Sequence, residues 1–446
     1  MSIAAHTPSL PSFIVDFLRA LAPILRRFGA TGRGKKRDPP LFRASAARYH
    51  LRSMPILFLI VVVDLIGFGL VIPLLPFYAE RFAASPQEVT ALMAVFSLMA
   101  MLTAPVWGRL SDRVGRRPVL MISMAAASLA YLWMGFADAL WMLFAARGLA
   151  GACAGNIAAA NAYIADVTTP ENRAKGMGMI GAAFGLGFII GPALGGVVAG
   201  NNLATADLRT PGLIACALSL IALLGVVFLL KESLSADVAA RPRRSRMSTL
   251  RDALGRKALA RLLVIFFLTI LAFAGMESTF ALWAMAQFGW GPAQTGYLFT
   301  YVGLLSAVMQ GGLIGRLTAR FGEEKLLIAG LGSIATGLLI LPLARGLPVL
   351  LLATSGLALG MGAMQPSLNS LISRRAGAEE QGEVMGVAQS VGSLSRVLGP
   401  LLAGALFAEL GRDFPFFCGM VLVAAAALIS LRLPPAEPAA AAGVAE

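Results

Sequence analysis

The sequence predicts an all-α membrane protein whose twelve transmembrane helices form two pseudo-symmetric six-helix bundles. Three observations carry that expectation. The 446 residues are 58% hydrophobic and only 13% charged, with a mean hydropathy of +0.77, whereas soluble domains average about 25% charged residues. The charge is also unevenly spread. Apolar stretches of about 20 residues recur with almost none of it, each long enough as a helix to cross a bilayer core about 30 Å thick. Finally, landmarks of the first half return in the second at a nearly constant offset.

In chain order, spans are expected at 56–79, 88–107, 118–137, 140–163, 176–199, 211–230, 261–285, 293–314, 325–344, 347–371, 384–408 and 414–433. Threading them alternately through a bilayer puts 31 of the 37 Lys and Arg on one side, together with both termini. Basic residues stay cytoplasmic in short loops, so both termini are expected in the cytoplasm and the chain in a cell (inner) membrane. The division that follows is a basic extension 1–54, a bundle 55–230, a basic linker 231–260, a second bundle 261–433 and a tail 434–446. The extension holds ten basic and two acidic residues, with Gly-Arg-Gly-Lys-Lys-Arg at 32–37. It has no apolar core followed by a cleavage site, so it does not read as a secretory signal. It suits a disordered or interfacial tail ahead of a start at Met54, with an organelle leader as the alternative. The net charge of +14 does not indicate a nucleic-acid binder, because the basic residues fall in short segments between apolar helices.

The repeat is specific. Gly108-Arg-Leu-Ser-Asp-Arg-Val-Gly115 returns as Gly315-Arg-Leu-Thr-Ala-Arg-Phe-Gly322, an offset of 207. Gly191-Pro192 returns as Gly399-Pro400 at 208, and Arg81-Phe82 with Pro86 returns as Gln287-Phe288 with Pro292 at 206. Three ordered landmarks with so little drift indicate a six-helix unit duplicated in tandem. Two such bundles imply a midplane site between the halves that rocking opens to each side in turn, the architecture of a secondary carrier.

Gly108, Asp112, Arg113, Gly115, Arg116 and Arg117 are expected in a loop between the second and third spans, where the glycines allow a tight turn. Asp112 would neutralise an arginine or meet a helix N-terminus and so latch the cytoplasmic ends of the halves. Asp166, at the end of the fourth span, is the expected partner of Arg116. The string from Gly108 to Arg117 resembles the signature loop of the major facilitator superfamily. Gly187-x-x-x-Gly191-Pro192-x-x-Gly195-Gly196 resembles the superfamily's antiporter motif. Spaced by four, Gly187, Gly191 and Gly195 form one bare face for close helix approach, and Pro192 adds a bend. Through Asp64-Leu-Ile-Gly-Phe-Gly-Leu-Val-Ile-Pro, Tyr163-Ile-Ala-Asp166 and the Phe184–Gly196 run, the chain resembles the drug:proton antiporter branch that includes tetracycline exporters. The resemblance implies the major facilitator fold and export driven by protons. It departs at Ser128-Leu129-Ala130-Tyr131, where those exporters carry an acidic residue, and at Ala150, where a glutamine usually precedes Gly151.

Four ionisable residues fall inside spans: Asp64, Arg147, Glu277 and Arg396. Each is expensive in a bilayer and is a functional candidate for that reason. Asp64 and Glu277 are expected to face the central cavity and serve as proton or substrate sites. Glu277 corresponds to Val71 rather than Asp64, which places the two carboxylates about 10 Å apart in depth. Arg147 resembles the superfamily's fourth-helix arginine. Arg396 suits either an anion contact or an ion pair with Glu277. Asn156, Asn161, Gln310, Gln365, Asn369 and Gln389 are polar groups that either line a cavity or join helices.

Cys153, Cys216 and Cys418 lie in apolar stretches without metal-ligand spacing, and His6 and His50 precede the first span, so no cofactor or metal is expected. There is no phosphate-binding Gly-x-x-x-x-Gly-Lys-Ser/Thr loop. The leading expectation is a proton-coupled exporter of small amphipathic or cationic compounds, working as a monomer with a small-molecule substrate, protons and the lipid bilayer as its partners. A carrier of a sugar, organic acid or siderophore is the second reading. A channel or membrane enzyme is the third, and no nucleophile–base pair supports it.

Overall fold

A computed structural model describes residues 40–168, 170–201, 206–207, 209–234, 246–376 and 380–433. Among them every regular element is helical. The first half comprises α1 (Pro40–Val71), a 3-10 turn (Ile72–Leu74), α2 (Leu75–Glu80), α3 (Pro86–Val114), α4 (Arg116–Gly135), α5 (Leu140–Ala152), α6 (Asn156–Val167), α7 (Pro170–Ala199) and α8 (Arg209–Phe228). The linker contributes α9 (Arg246–Gly255). The second half comprises α10 (Lys257–Phe288), α11 (Pro292–Val308), a π segment (Met309–Leu313), α12 (Ile314–Phe321), α13 (Glu323–Ile340), α14 (Leu347–Arg375), α15 (Gln381–Glu409) and α16 (Phe414–Ser430). Among the described residues, eleven helical spans are long and apolar enough to cross a membrane, and α16 is a shorter apolar helix.

Local chemistry sets the boundaries. Ser85 and Glu88 form a capping box ahead of Pro86, with Ser85 N–H donating to Glu88 Oε2 at 2.8 Å; a Pro at the first helical position completes the start of α3. Gly289, at φ 66°, ends α10 in the left-handed conformation. Asp207 accepts from the N–H groups of Arg209 and Thr210 at 2.9 and 3.0 Å and caps α8.

Residues 40–54 of the extension, expected as a disordered or interfacial tail, are helical and continuous with the first span, as the helix-forming Leu, Ala and Arg of 41–53 favour; residues 1–39 and the tail 434–446 lie outside the described residues. Three expectations are corrected. The second span continues to Val114, so Gly108–Val114 is helix rather than loop and only Gly115, at φ 107°, makes the turn. The fourth span is broken between Ala152 and Asn156. The last span ends at Ser430.

The halves meet from one end as far as mid-depth. One buried apolar cluster joins Leu70–Ala84 and their neighbours to Ala281 and Leu282 of the second half, while the two other clusters each stay within one half. At the same end Ala293 N–H donates to Gly200 C=O at 3.1 Å. A Cβ at Gly196 would lie 3.0 Å from Ala293 Cα, and one at Gly303 would lie 2.7 Å from Phe188 C=O. The other end, here called the basic face, carries the two signature segments and the linker. There, open space surrounds Gly178 and Gly181 of α7 and Gly311, Gly312 and Gly315 of the second half. Contact between α7 and α11 runs as far as Gly185, whose added Cβ would lie 3.9 Å from Ala307 Cβ, and beyond that point these glycines meet no neighbour, so the halves part toward the basic face.

Candidate functional site

Asp64 sits in the first span (Met54–Glu80), nearer its start than its end, and is 4% exposed. Asn156 Nδ2 donates to its Oδ2 at 2.5 Å, and Ser219 Oγ donates to Oδ1 at 3.4 Å. The expectation that Asp64 faces the central cavity is corrected here. It is turned into its own bundle, between α6 and α8, because an amide and a hydroxyl there satisfy both carboxylate oxygens. No Lys, Arg or His lies within ion-pair distance of it among the described residues. Ser219, one hydroxyl in an apolar helix, was not singled out by the sequence reading.

The break in the fourth span brings Asn156 to this carboxylate. Ala152 C=O accepts from Trp107 Nε1 at 2.7 Å, and Gly155 N–H donates to Ser123 Oγ at 3.1 Å. Asn156 Oδ1 accepts from Ile157 N–H at 2.9 Å, which orients its amide nitrogen toward Asp64. Backbone groups freed at membrane depth must be satisfied within the protein, and Trp107 and Ser123 do so.

Arg147 is 3% exposed. Its guanidinium lies 4.4 Å from the centre of the Phe96 ring, and its Nε is buried without a hydrogen-bond partner among the described residues. Tyr131, 5% exposed, lies in the electrostatic neighbourhood of both Arg147 and Asp64. Ala130, where related exporters carry an acid, is fully buried. In the second half Glu277 is partly buried and Arg396 is exposed. They influence each other electrostatically but form no ion pair within 4 Å. Of the amides, Asn161, Gln365 and Asn369 are partly buried and Gln310 and Gln389 are exposed. Gln310 stands in the π segment, and Asn369 Oδ1 is buried without a partner among the described residues.

At the basic face Arg116, with a side chain 7% exposed, binds Asp112 Oδ1 at 2.6 Å, Asp166 Oδ2 at 2.9 Å and Ser111 Oγ at 3.1 Å. The linker joins this cluster. Glu232 Oε1 and Oε2 accept from the N–H groups of Arg116 and Arg117 at 2.8 and 3.1 Å, capping α4, and Ser233 Oγ donates to Asp166 at 3.0 Å. A side chain at Gly115 would overlap the Glu232 carboxylate. Arg117 donates to the C=O groups of Val226 and Val227, while Arg113 is exposed. Every described partner of the Arg116 side chain belongs to the first half and its N–H is held by the linker, so in this basic-face-open state the arginine does not itself bridge the halves. The second half repeats the device with the signs exchanged. Glu323 stands at the position of Arg116, offset 207, and Arg374 at that of Asp166, offset 208; they pair at 3.0 Å, beside Glu324–Arg375 at 3.0 Å.

The glycine row serves close approach. A Cβ at Gly187, Gly191 or Gly195 would fall 2.6–2.8 Å from backbone or side-chain atoms of Leu65, Leu70 and their neighbours, so this face packs α7 on α1. Gly196 faces the second half instead, and the Pro192 C=O lies against Gly296.

The family model described as Major Facilitator Superfamily matches residues 57–400 and 286–446. The chain belongs to that superfamily. It is 34% identical over 383 residues to the class C tetracycline resistance protein of Escherichia coli, covering 84% of this chain and 93% of that one. It is 31% identical over 373 residues to multidrug resistance protein 2 of Bacillus subtilis (strain 168), covering 81% and 90%. Among solved structures, the human organic anion transporter MFSD10 (TETRAN) is similar with a TM-score of 0.66 and 26% identity, covering 88% of this chain and all of that one. As a superfamily member the chain is a multi-pass membrane transporter.

Proposed function

We propose that this transporter exports small amphipathic or cationic compounds in exchange for protons by alternating access, with Asp64 as the proton site. One observation carries the reading. Asp64 is a buried carboxylate held by neutral donors, Asn156 and Ser219, with no cation in ion-pair distance among the described residues. It can therefore take and lose a proton without breaking a salt bridge, as a coupling site requires. Two sequence-similar proteins named for tetracycline and multidrug resistance support the substrate class. In the proposed setting the basic face is cytoplasmic, the chain sits in the inner membrane and a monomer suffices.

The test is drug flux in proteoliposomes under an imposed pH gradient. Asp64→Asn should bind substrate yet lose uphill transport. A variant that still concentrates substrate with wild-type pH dependence refutes the proton role. A second reading, a carrier of organic anions, is favoured by Arg147, a buried guanidinium whose Nε has no partner among the described residues, and by the structural neighbour named for organic anions. Competition of flux by an anionic against a cationic compound separates the two.

A further inference from the structure

The broken fourth span leaves α6 as a separate helix of 12 residues, and its two ends hold unlike things. At one end Asn156 donates to Asp64. At the other, Asp166 pairs with Arg116 at 2.9 Å and accepts from Ser233 of the linker. Ten residues separate the two side chains, about 15 Å along a helix axis. Between them Ala159, Ala160, Tyr163 and Ile164 are buried, so α6 is packed along its length. The break is built rather than frayed, because Trp107 and Ser123 satisfy the backbone groups it frees. A short rigid rod with a hinge at Cys153–Gly155 therefore joins the buried carboxylate to the ionic cluster at the open face.

We infer that α6 is a strut that transmits the state of Asp64 to the Arg116 cluster, with Asn156 as the positioning residue at its inner end. The inference rests on the reading of Asp64 as the coupling site. An ionised carboxylate accepts from an amide more strongly than a neutral one, so neutralising Asp64 loosens the inner end of the strut. The hinge then lets α6 shift as a body, and Asp166 moves against Arg116, which Asp112 and Ser111 still hold. The other groups that act on Asp64 are Ser219 of α8, through a hydrogen bond, and Tyr131 of α4, through electrostatics that Arg147 of α5 also enters. None of them is on α6, so the path through Asn156 is separable by mutation.

The experiment measures the distance between spin labels at Gly181→Cys and Gly315→Cys, on opposite halves of the open face, in the full chain in nanodiscs without a gradient. Cys418, the exposed native cysteine, is replaced by Ser. Because both end contacts are present in the basic-face-open state, losing either should disfavour it. Asn156→Ala and Asp64→Asn should each lower the open-to-closed ratio about tenfold, the effect of one charge-assisted hydrogen bond on a two-state equilibrium. Together they should do no more than either alone, and with Asp166→Asn added neither should change the ratio more than about twofold. Asn156→Ser, which keeps a donor, should fall between wild type and Asn156→Ala and serves if the alanine variant does not fold. Shifts that persist undiminished with Asp166→Asn overturn the strut, as does an unchanged ratio in a folded Asn156→Ala protein. Loss of uphill transport in Asp64→Asn with uncoupled distances would sink the strut alone. Coupled distances with normal uphill transport would sink the proton site alone.

Discussion

Replacing Gly115 by alanine tests how the linker holds the signature segment. Two effects add. The residue has φ 107°, a conformation that costs a side-chain-bearing residue about 1–3 kcal/mol. The new methyl also occupies the space of the Glu232 carboxylate. Moving that flexible, exposed side chain is easy in itself, but it forfeits the hydrogen bonds to the Arg116 and Arg117 N–H groups. A cap of that kind is worth about 0.5–2 kcal/mol, and exposure places this one near the lower end. Gly115→Ala should therefore cost about 1.5–4 kcal/mol, and Glu232→Ala about 0.5–1 kcal/mol. The assay is thermal unfolding of the purified protein in detergent, run on both single variants and the double. Because the methyl already displaces the carboxylate, adding Glu232→Ala to Gly115→Ala should cost nothing more. Fully additive losses would show that Glu232 does not occupy the Gly115 slot and would refute the reasoning.

Further outcomes follow from the same geometry. Arg116→Ala leaves Asp112 and Asp166 facing each other without their shared cation; allowing for their partial exposure, 33% and 20%, unfolding should become easier by about 2 kcal/mol. Glu277→Gln and Arg396→Ala should have nearly additive effects on melting temperature, since only a longer-range electrostatic influence and no ion pair within 4 Å joins them; recovery in the double variant would show a structural pair instead. Gly196→Val should crowd Ala293 and Pro292 and lower the share of molecules open at the basic face about tenfold, as overpacking of this size implies, read by the Gly181–Gly315 label distance. At the cap of α8 the Thr210 hydroxyl, followed by the Thr210 N–H, holds the Asp207 carboxyl below its usual range. Its folded-state value is lowered, so its stabilisation is complete above the ordinary carboxylate range and fades as pH falls through the lowered value. The stability gap between wild type and Asp207→Ala should close in that window and stay constant above it.

Hydropathy located the spans because depth in a bilayer is written in apolar run length. It could not show which way Asp64 turns, since azimuth depends on what neighbouring helices offer, and here the offer came from Asn156 and one serine, Ser219. The pairing of Arg116 with Asp166 was legible because two motif positions fell at the same predicted depth. The break after Ala152 was not: Gly-Ala-Cys-Ala-Gly at 151–155 is as apolar as the helix around it, and only its run of small residues hints at the hinge. Glu232 was hidden by its setting, one acid in a segment read for its positive charge. The extent of helix beyond Gly108 was missed because a glycine with open space beside it is compatible with a helix and only a positive φ demands a turn.

The exchange of signs between Arg116–Asp166 and Glu323–Arg374 bears on how the two halves diverged. If both descend from one ancestral unit, reversing a pair one residue at a time passes through two like charges side by side or through a neutral stand-in. The ancestral site must have tolerated that interval, which fits partners that solvent reaches, Asp166 at 20% and Arg374 at 56% exposure. What persisted is the tether between the start of one helix and the end of the next. Its polarity was left free to drift, and each half thereby acquired its own electrostatic rim.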